Sequence, residues 1–383
     1  MQSPNRAYVP QIDELRGFAA LLVFYFHAEI LGFWALGHTG WLRAATPLEA
    51  LVYEGHTGVA LFMVLSGFIL AKGVIGRPIS YGSFLRNRLL RIAPLTVLVT
   101  LFAIYGNRGV SLDRIAAPFL LLQNAAPPIA FEDRTGLSAT VWTVATEFQF
   151  YLLAPFLFAF VARDGVRRFL LPSLVLVFAL KLLVMLPNRA LTDLWAIPYF
   201  SLVGRLNQFL LGIGLAAVWP RLISAQEVRG PMLGWALLAA GLVGAFGLAF
   251  LVNRTGGQYA WQTWRYALQD IEGLVWVLFI GGYVLVDPLR GVRRLRRAAV
   301  GLGLVSFSFY ILHWAVLTGS LRGLPLIGIA LPDDRALLAL LATVTVLPLT
   351  IALAALSYWC VERPFLLSRS RYVGEEAPIN SPP

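Results

Sequence analysis

Ten windows of about twenty residues, with few charges in any of them, follow one another along the chain. They lie at approximately 13–34, 51–72, 89–106, 141–162, 168–187, 198–219, 231–252, 267–286, 298–319 and 336–358. In hydrocarbon an unpaired peptide group has no water to turn to, so such windows fold as helices that satisfy their own backbone. The chain is therefore expected to be all-α, a polytopic membrane bundle of about ten transmembrane helices. Turn formers separate the windows, among them Gly76-Arg77-Pro78, Pro127-Pro128, Gly256-Gly257 and Asp287-Pro288. Only 13% of the 383 residues are charged and 58% are hydrophobic, which leaves no material for a soluble domain.

A formal charge of +11 raises the question of nucleic acid, but the basic residues sit in short groups between apolar runs, as cytoplasmic loops do. With the N-terminus placed inside, twenty Lys and Arg fall in the inner segments and nine in the outer ones. Both termini are thus expected in the cytoplasm, and the protein in the cell inner membrane. The single cysteine, Cys360, excludes an internal disulfide, and no Cys/His group has metal-ligand spacing. The N-terminus lacks the features of a cleaved signal peptide, so the first span is expected to stay. One membrane domain is expected over 1–365, followed by a disordered cytoplasmic tail over 366–383. The longest connection, about 107–140, reads as a short amphipathic helix and loop capping the outer mouth.

Charged and titratable groups inside spans are costly and mark function unless they pair structurally. In QIDELRGFAALLVFYFHAEI, Arg16 and His27 are eleven residues apart, about 16 Å and three turns plus roughly 20°, so they share one helix face. Arg16 would sit at the inner membrane surface and His27 near mid-bilayer. His313 is expected at similar depth in the ninth span, where the two imidazoles could meet; the plainer reading is two packing histidines. Gly55, Gly58, Ser66 and Gly67 are small residues that let helices approach closely. Arg86, Arg88 and Arg91, at the inner threshold of the third span, make a clamp for phosphates as well as a topological signal. Glu147 falls about 9 Å below the outer surface, where an ion pair with Arg205 would be its structural account. Trp142 reads as an interface anchor, His56 as a solvated group at the outer mouth, and Lys181 has no partner legible in the sequence.

From about Ile12 to Pro364 the motifs resemble acyltransferase family three, integral membrane enzymes that O-acylate surface sugars and related acceptors. Leu15-Arg16-Gly17 and His27 resemble its leading motif, and Gly58-Val59 through Ser66-Gly67-Phe68 its second. Arg88-Leu89-Leu90-Arg91-Ile92-Ala93-Pro94 is similar to its basic loop, and Trp142-Thr143, Glu147 and Phe150-Tyr151 to its tryptophan and glutamate motif. Ser306 to His313 matches the serine, tyrosine and histidine stretch, and Glu362-Arg363-Pro364 the closing signature. The chain departs from the family at Phe148, where many members carry a polar or acidic residue, and at Asn207-Gln208, where a glutamate often follows Arg205.

The resemblance implies acyl-CoA, most often acetyl-CoA, as cosubstrate, with no permanently bound cofactor, and a carbohydrate or lipid-linked glycan as acceptor. Arg16, Arg86, Arg88 and Arg91 would hold the donor's phosphates. His27 would act as general base or nucleophile, Glu147 and His313 would orient the base or the acceptor, and Ser66, Trp142, Tyr310 and Arg205 would support them. Two other classes compete. A transporter would use Arg16, His27, Glu147 and His313 as a proton relay, but the chain lacks the repeated halves expected of one. A structural envelope protein leaves the buried charges without a role.

Overall fold

A computed structural model of the protein describes residues 5, 8–106, 140–187, 195–258, 260 and 262–374. In chain order the helices are α1 (Pro10–Ala35), α2 (Pro47–Tyr53), α3 (Thr57–Ala71), α4 (Tyr81–Gly106), α5 (Val141–Gly165), α6 (Leu171–Met185), α7 (Ala196–Phe200), α8 (Leu202–Arg229), α9 (Met232–Arg254), α10 (Leu268–Val286), α11 (Arg293–Leu304), α12 (Ser306–Leu326) and α13 (Arg335–Leu367). Apart from an isolated bridge between Ile79 and Val373, the described residues hold no β structure.

Seven helical stretches are long and apolar enough to cross a bilayer, or nine when the bent pairs α2–α3 and α11–α12 each count as one. One of the seven is the 45-residue run Val141–Met185. Straight, it would measure roughly 68 Å, twice a hydrocarbon core. It doubles back instead: Gly165 has φ +74°, and the rings of Phe160 and Phe169 stack across it with centroids 5.1 Å apart. Nine residues of straight helix would hold those rings about 13 Å apart. Helices α5 and α6 are therefore separate passages, which brings the described bundle to the expected ten.

Two windows depart from expectation. The second, 51–72, bends by 75° between α2 and α3. At the break Glu54, 1% exposed, accepts hydrogen bonds from Trp41 Nε1 (2.6 Å) and Asn253 Nδ2 (2.9 Å), and lies 3.1 Å from His56 Nε2. A buried carboxylate with three partners fixes the kink, and His56 is buried with it rather than solvated. The ninth window, 298–319, bends by the same angle at Val305. Helix α11, carrying four arginines, packs along the start of α1, and α12 alone supplies the passage.

Glycines set the closest contacts of the bundle. A Cβ at Gly67 on α3 would lie 2.1 Å from the Phe209 carbonyl oxygen, and one at Gly212 on α8 would lie 2.2 Å from that of Val64. Those two backbones touch because neither residue has a side chain.

The two ends of the chain meet. Asn5 Nδ2 donates to Ser370 O (3.1 Å), Asn5 Oδ1 accepts from Tyr372 N (2.6 Å), and Asn87 exchanges hydrogen bonds with Ser370 at 2.7 and 3.0 Å. Residues 368–374 of the tail expected to be disordered are thus packed against α4 and the N-terminus. Residues 375–383 of that tail, and residues 107–139 of the expected outer cap, lie outside the described residues.

Candidate active site

An open cavity of about 180 Å³ lies among α1, α3, α4, α5, α12 and α13 on the side of the bundle where the chain's ends meet. Along α3 it is lined from Val59 to Leu70, a length of about 16 Å. Its walls carry Arg16, Arg88, Arg91 and Arg369, together with Ser66, Glu147 and Tyr310. Arg88 is 4% exposed and lies over the rings of Phe84 and Tyr151, at 5.6 and 5.8 Å. Buried Arg88 Nε and Arg91 Nη2 have no hydrogen-bond partner among the described residues. Two orphaned guanidinium nitrogens in residues that wall an open cavity call for acceptor oxygens from outside the described residues. At the chain's start, outside the spans, burial and the Asp13 carboxylate push the Tyr8 phenol up to about 12, so it lines the cavity as a neutral hydroxyl.

Arg86 is exposed and is not among the residues walling this cavity. The reason is helical phase: Arg88 and Arg91, three residues apart, share a face of α4, whereas two residues turn the helix by about 200° and carry Arg86 to the opposite side. Arg369 takes a place in the wall that the sequence assigned only to topology. Its signal was the charged segment following Glu362-Arg363-Pro364, whose position under the bundle is set by the contacts of the tail with Asn5 and Asn87.

Glu147 does not pair with Arg205. Its Oε1 accepts from Ser66 Oγ at 2.7 Å, within the cavity wall. Arg205, 1% exposed, donates to Tyr199 O (2.8 Å), approaches Glu272 at 3.8 Å, and stacks over the Tyr199 and Trp142 rings at 4.4 and 5.9 Å. Trp142 and Arg205 therefore belong to a separate aromatic cluster. Lys181 has a partner after all, the carboxylate of Asp270, which also accepts from Asn207.

The two intramembrane histidines meet. His27 Nδ1 lies 2.9 Å from His313 Nε2, and His313 Nδ1 lies 2.6 Å from the Tyr310 carbonyl oxygen. A carbonyl only accepts, so His313 carries its proton on Nδ1, and with both rings neutral its Nε2 accepts from His27 Nδ1–H. That chain leaves His27 Nε2 as the unprotonated nitrogen. Neither histidine lines the cavity. The face shared by Arg16 and His27 thus does not make one continuous open channel: the cavity reaches Tyr310, and His313 stands one helical turn beyond it. Tyr310 joins the two parts, its ring lining the cavity edge-to-face with Phe62 at 5.9 Å and its carbonyl holding His313.

The known proteins most similar in sequence include several acyltransferases. The acyltransferase MdmB of Streptomyces mycarofaciens is 27% identical, over 82% of this chain and 80% of its own length. The O-acetyltransferase OatA of Staphylococcus aureus is 25% identical over 66% of this chain, and the peptidoglycan O-acetyltransferase OatA of Listeria monocytogenes is 25% identical over 56%. The chain spans only 41% and 35% of those two longer proteins. No solved structure matches it. The profile of acyltransferase family three, described as an acyltransferase domain, matches residues 9–359, from the first turn of α1 almost to the end of α13. The chain belongs to that family and is a multi-pass membrane acyltransferase.

Proposed function

We propose that the protein moves an acyl group, most simply acetyl, from cytoplasmic acyl-CoA to a hydroxyl of a sugar or glycan on the outer side of the cell inner membrane. The observation that carries this reading is the cavity walled by Arg16, Arg88, Arg91 and Arg369, with its orphaned guanidinium nitrogens. Its position beside both chain ends, together with the twenty-to-nine distribution of basic residues, supports a cytoplasmic location, the compartment where acyl-CoA is made. Phosphates of the donor bind there, and the thioester arm extends toward Ser66, Glu147 and Tyr310. The sugar acceptor is suggested by the name of the Listeria relative, a peptidoglycan O-acetyltransferase.

His27 is the general base in this reading. Its Nε2 takes the proton of the acceptor hydroxyl as the oxygen attacks the thioester carbonyl; the C–S bond breaks, and the departing thiolate recovers the proton from the imidazolium. His313 is a positioning residue that fixes the tautomer. Because the cavity stops at Tyr310, the Phe62–Tyr310 ring pair has to part for the thioester to reach His27.

Proteoliposomes holding the purified protein test this directly. Radiolabelled acetyl-CoA should give a labelled saccharide in the presence of an envelope glycan fraction, with release of CoA thiol. Absence of both label transfer and thiol release across a panel of acyl-CoAs would reject the donor assignment.

A further inference from the structure

Between the passages α10 and α12 the chain forms helix α11, which is bent by 75° from α12. With α12 crossing the bilayer, α11 lies close to the membrane plane. We propose that α11 is a binding site for the headgroups of anionic phospholipids. Its arginines are not among the residues walling the donor cavity, and the proposal stands apart from the reaction proposed above.

Helical phase divides α11 into three faces. Ala299 and Gly303 meet the start of α1, where a Cβ on Gly17 would stand 2.9 Å from the Ala299 carbonyl oxygen and a Cβ on Gly303 would strike the backbone of Asp13. Arg296 is on the same side, its Nε 2.9 Å from Glu14 Oε1 and its Nη2 2.9 Å from Asp287 Oδ1. A second face carries Arg293, Arg294 and Arg297 within an arc of about 100°. Beside it, Leu295, Ala298 and Leu302 fall within about 60° of one another. The three arginines and Ala298 are exposed, as is Leu295, by 54%, while Leu302 is partly buried.

Charge and apolar surface together select the ligand. Glu14 and Asp287 are taken by Arg296, and among the described residues Arg293, Arg294, Arg297 and the exposed Arg290 of the preceding turn have no ion pair. No Asp or Glu occurs between Pro288 and Pro332 to neutralise them. Four unpaired guanidinium groups beside a membrane passage form the kind of basic cluster that holds anionic lipid, and each planar fork takes two phosphate oxygens at once. The apolar arc favours a lipid over a free anion. A helix with adjoining apolar and cationic arcs lies in the interface, here with Leu295 turned to acyl chains while the arginines meet headgroups. A soluble phosphate or a nucleic acid would satisfy the charge and leave Leu295 in water. Such an anchor bears on the rest of the enzyme through Arg296, whose ion pair with Glu14 ties α11 to the helix that carries Arg16.

The test uses the full-length protein carrying Cys360→Ser, which removes the native thiol, and Ala298→Cys, which places a bimane fluorophore at the border of the two arcs. It is reconstituted in equal parts of phosphatidylcholine and phosphatidylglycerol, with one or the other lipid brominated in its acyl chains, so that quenching reports which lipid stands next to α11. Phosphatidylglycerol should be enriched there by about tenfold or more over phosphatidylcholine. Arg297→Gln should lower the enrichment about fivefold, and Arg293→Gln, Arg294→Gln and Arg297→Gln combined should bring it close to unity, with far-UV circular dichroism unchanged as the measure of an intact fold. Where the triple variant does not insert, Arg297→Gln alone carries the test. Equal quenching by the two lipids before any arginine is replaced overturns the proposal and leaves the face to another occupant. Enrichment that survives loss of the arginines overturns it as well. So does enrichment abolished by millimolar inorganic phosphate, which would assign the guanidinium groups to a free anion.

Discussion

His27 Nδ1 stands 2.9 Å from His313 Nε2, and the Tyr310 carbonyl behind His313 gives that contact a direction. Proton positions along the chain are dictated by an oxygen that cannot donate, so the tautomer of His27 is set two hydrogen bonds away from its own ring. Positioning of this kind separates the contributions of the two rings.

His27→Ala should lower acyl transfer by about 10²–10⁴-fold, the usual contribution of a positioned base, with the protein still monodisperse in detergent. His313→Leu should cost less, because it removes the orienting partner and leaves the base. His313→Gln, which can still present an acceptor oxygen to His27, should retain more activity than His313→Leu. Initial rates with saturating acetyl-CoA check the order, and an active His27→Ala enzyme would falsify the assignment.

The donor cavity predicts a contrast within one basic loop. Arg88→Gln and Arg91→Gln should each raise KM for acetyl-CoA by about ten- to a hundredfold, as expected for losing a charge-assisted bond of about 1.5–3 kcal/mol. Arg86→Gln should leave KM unchanged, because its side chain is exposed outside the cavity. Acetyl-CoA lacking its 3′-phosphate should shrink the penalty of whichever arginine binds that group.

Close packing of α3 against α8 predicts a stability effect far from the chemistry. Gly67→Ala places a methyl 2.1 Å from the Phe209 carbonyl oxygen, so the helices must separate. Overpacking of this kind costs about 1–3 kcal/mol or more, and the midpoint of thermal unfolding in detergent should fall by several degrees. Gly319→Ala, where an added Cβ meets nothing within 4 Å, is the matched control.

Lys181 and Asp270 form a pair whose halves should not be separable. Lys181→Met strands a carboxylate against Asn207 and should destabilise the protein by about 3–5 kcal/mol, the usual cost of breaking a buried pair from one side. Lys181→Met combined with Asp270→Leu should recover much of that loss. Thermal melts of the three variants form the double-mutant cycle that measures the coupling.

The ten passages and the pairing of His27 with His313 were legible because both depend on periodicity and depth, which a sequence carries. What hydropathy could not show was where a helix breaks. The bends at Glu54 and at Val305 arise from a buried carboxylate finding Trp41 and Asn253, and from α11 pressing Gly303 against Asp13, contacts made across long stretches of chain. The site was read with the same limits. Arg88 and Arg91 follow from helical phase, and so would the exclusion of Arg86 had phase been applied to that loop. Arg369 and the pairing of Arg205 with Glu272 depend on tertiary neighbours, as does the gap between the cavity and the histidines at Tyr310.

The clasp between Asn5, Asn87 and Ser370 ties residues 368–374 to α4 and to the start of the chain, so the rim of the cavity is hemmed by the protein's two ends. Cutting the chain after Leu367 would remove one guanidinium from the vestibule and release the thread that keeps the opening helix in register with α4.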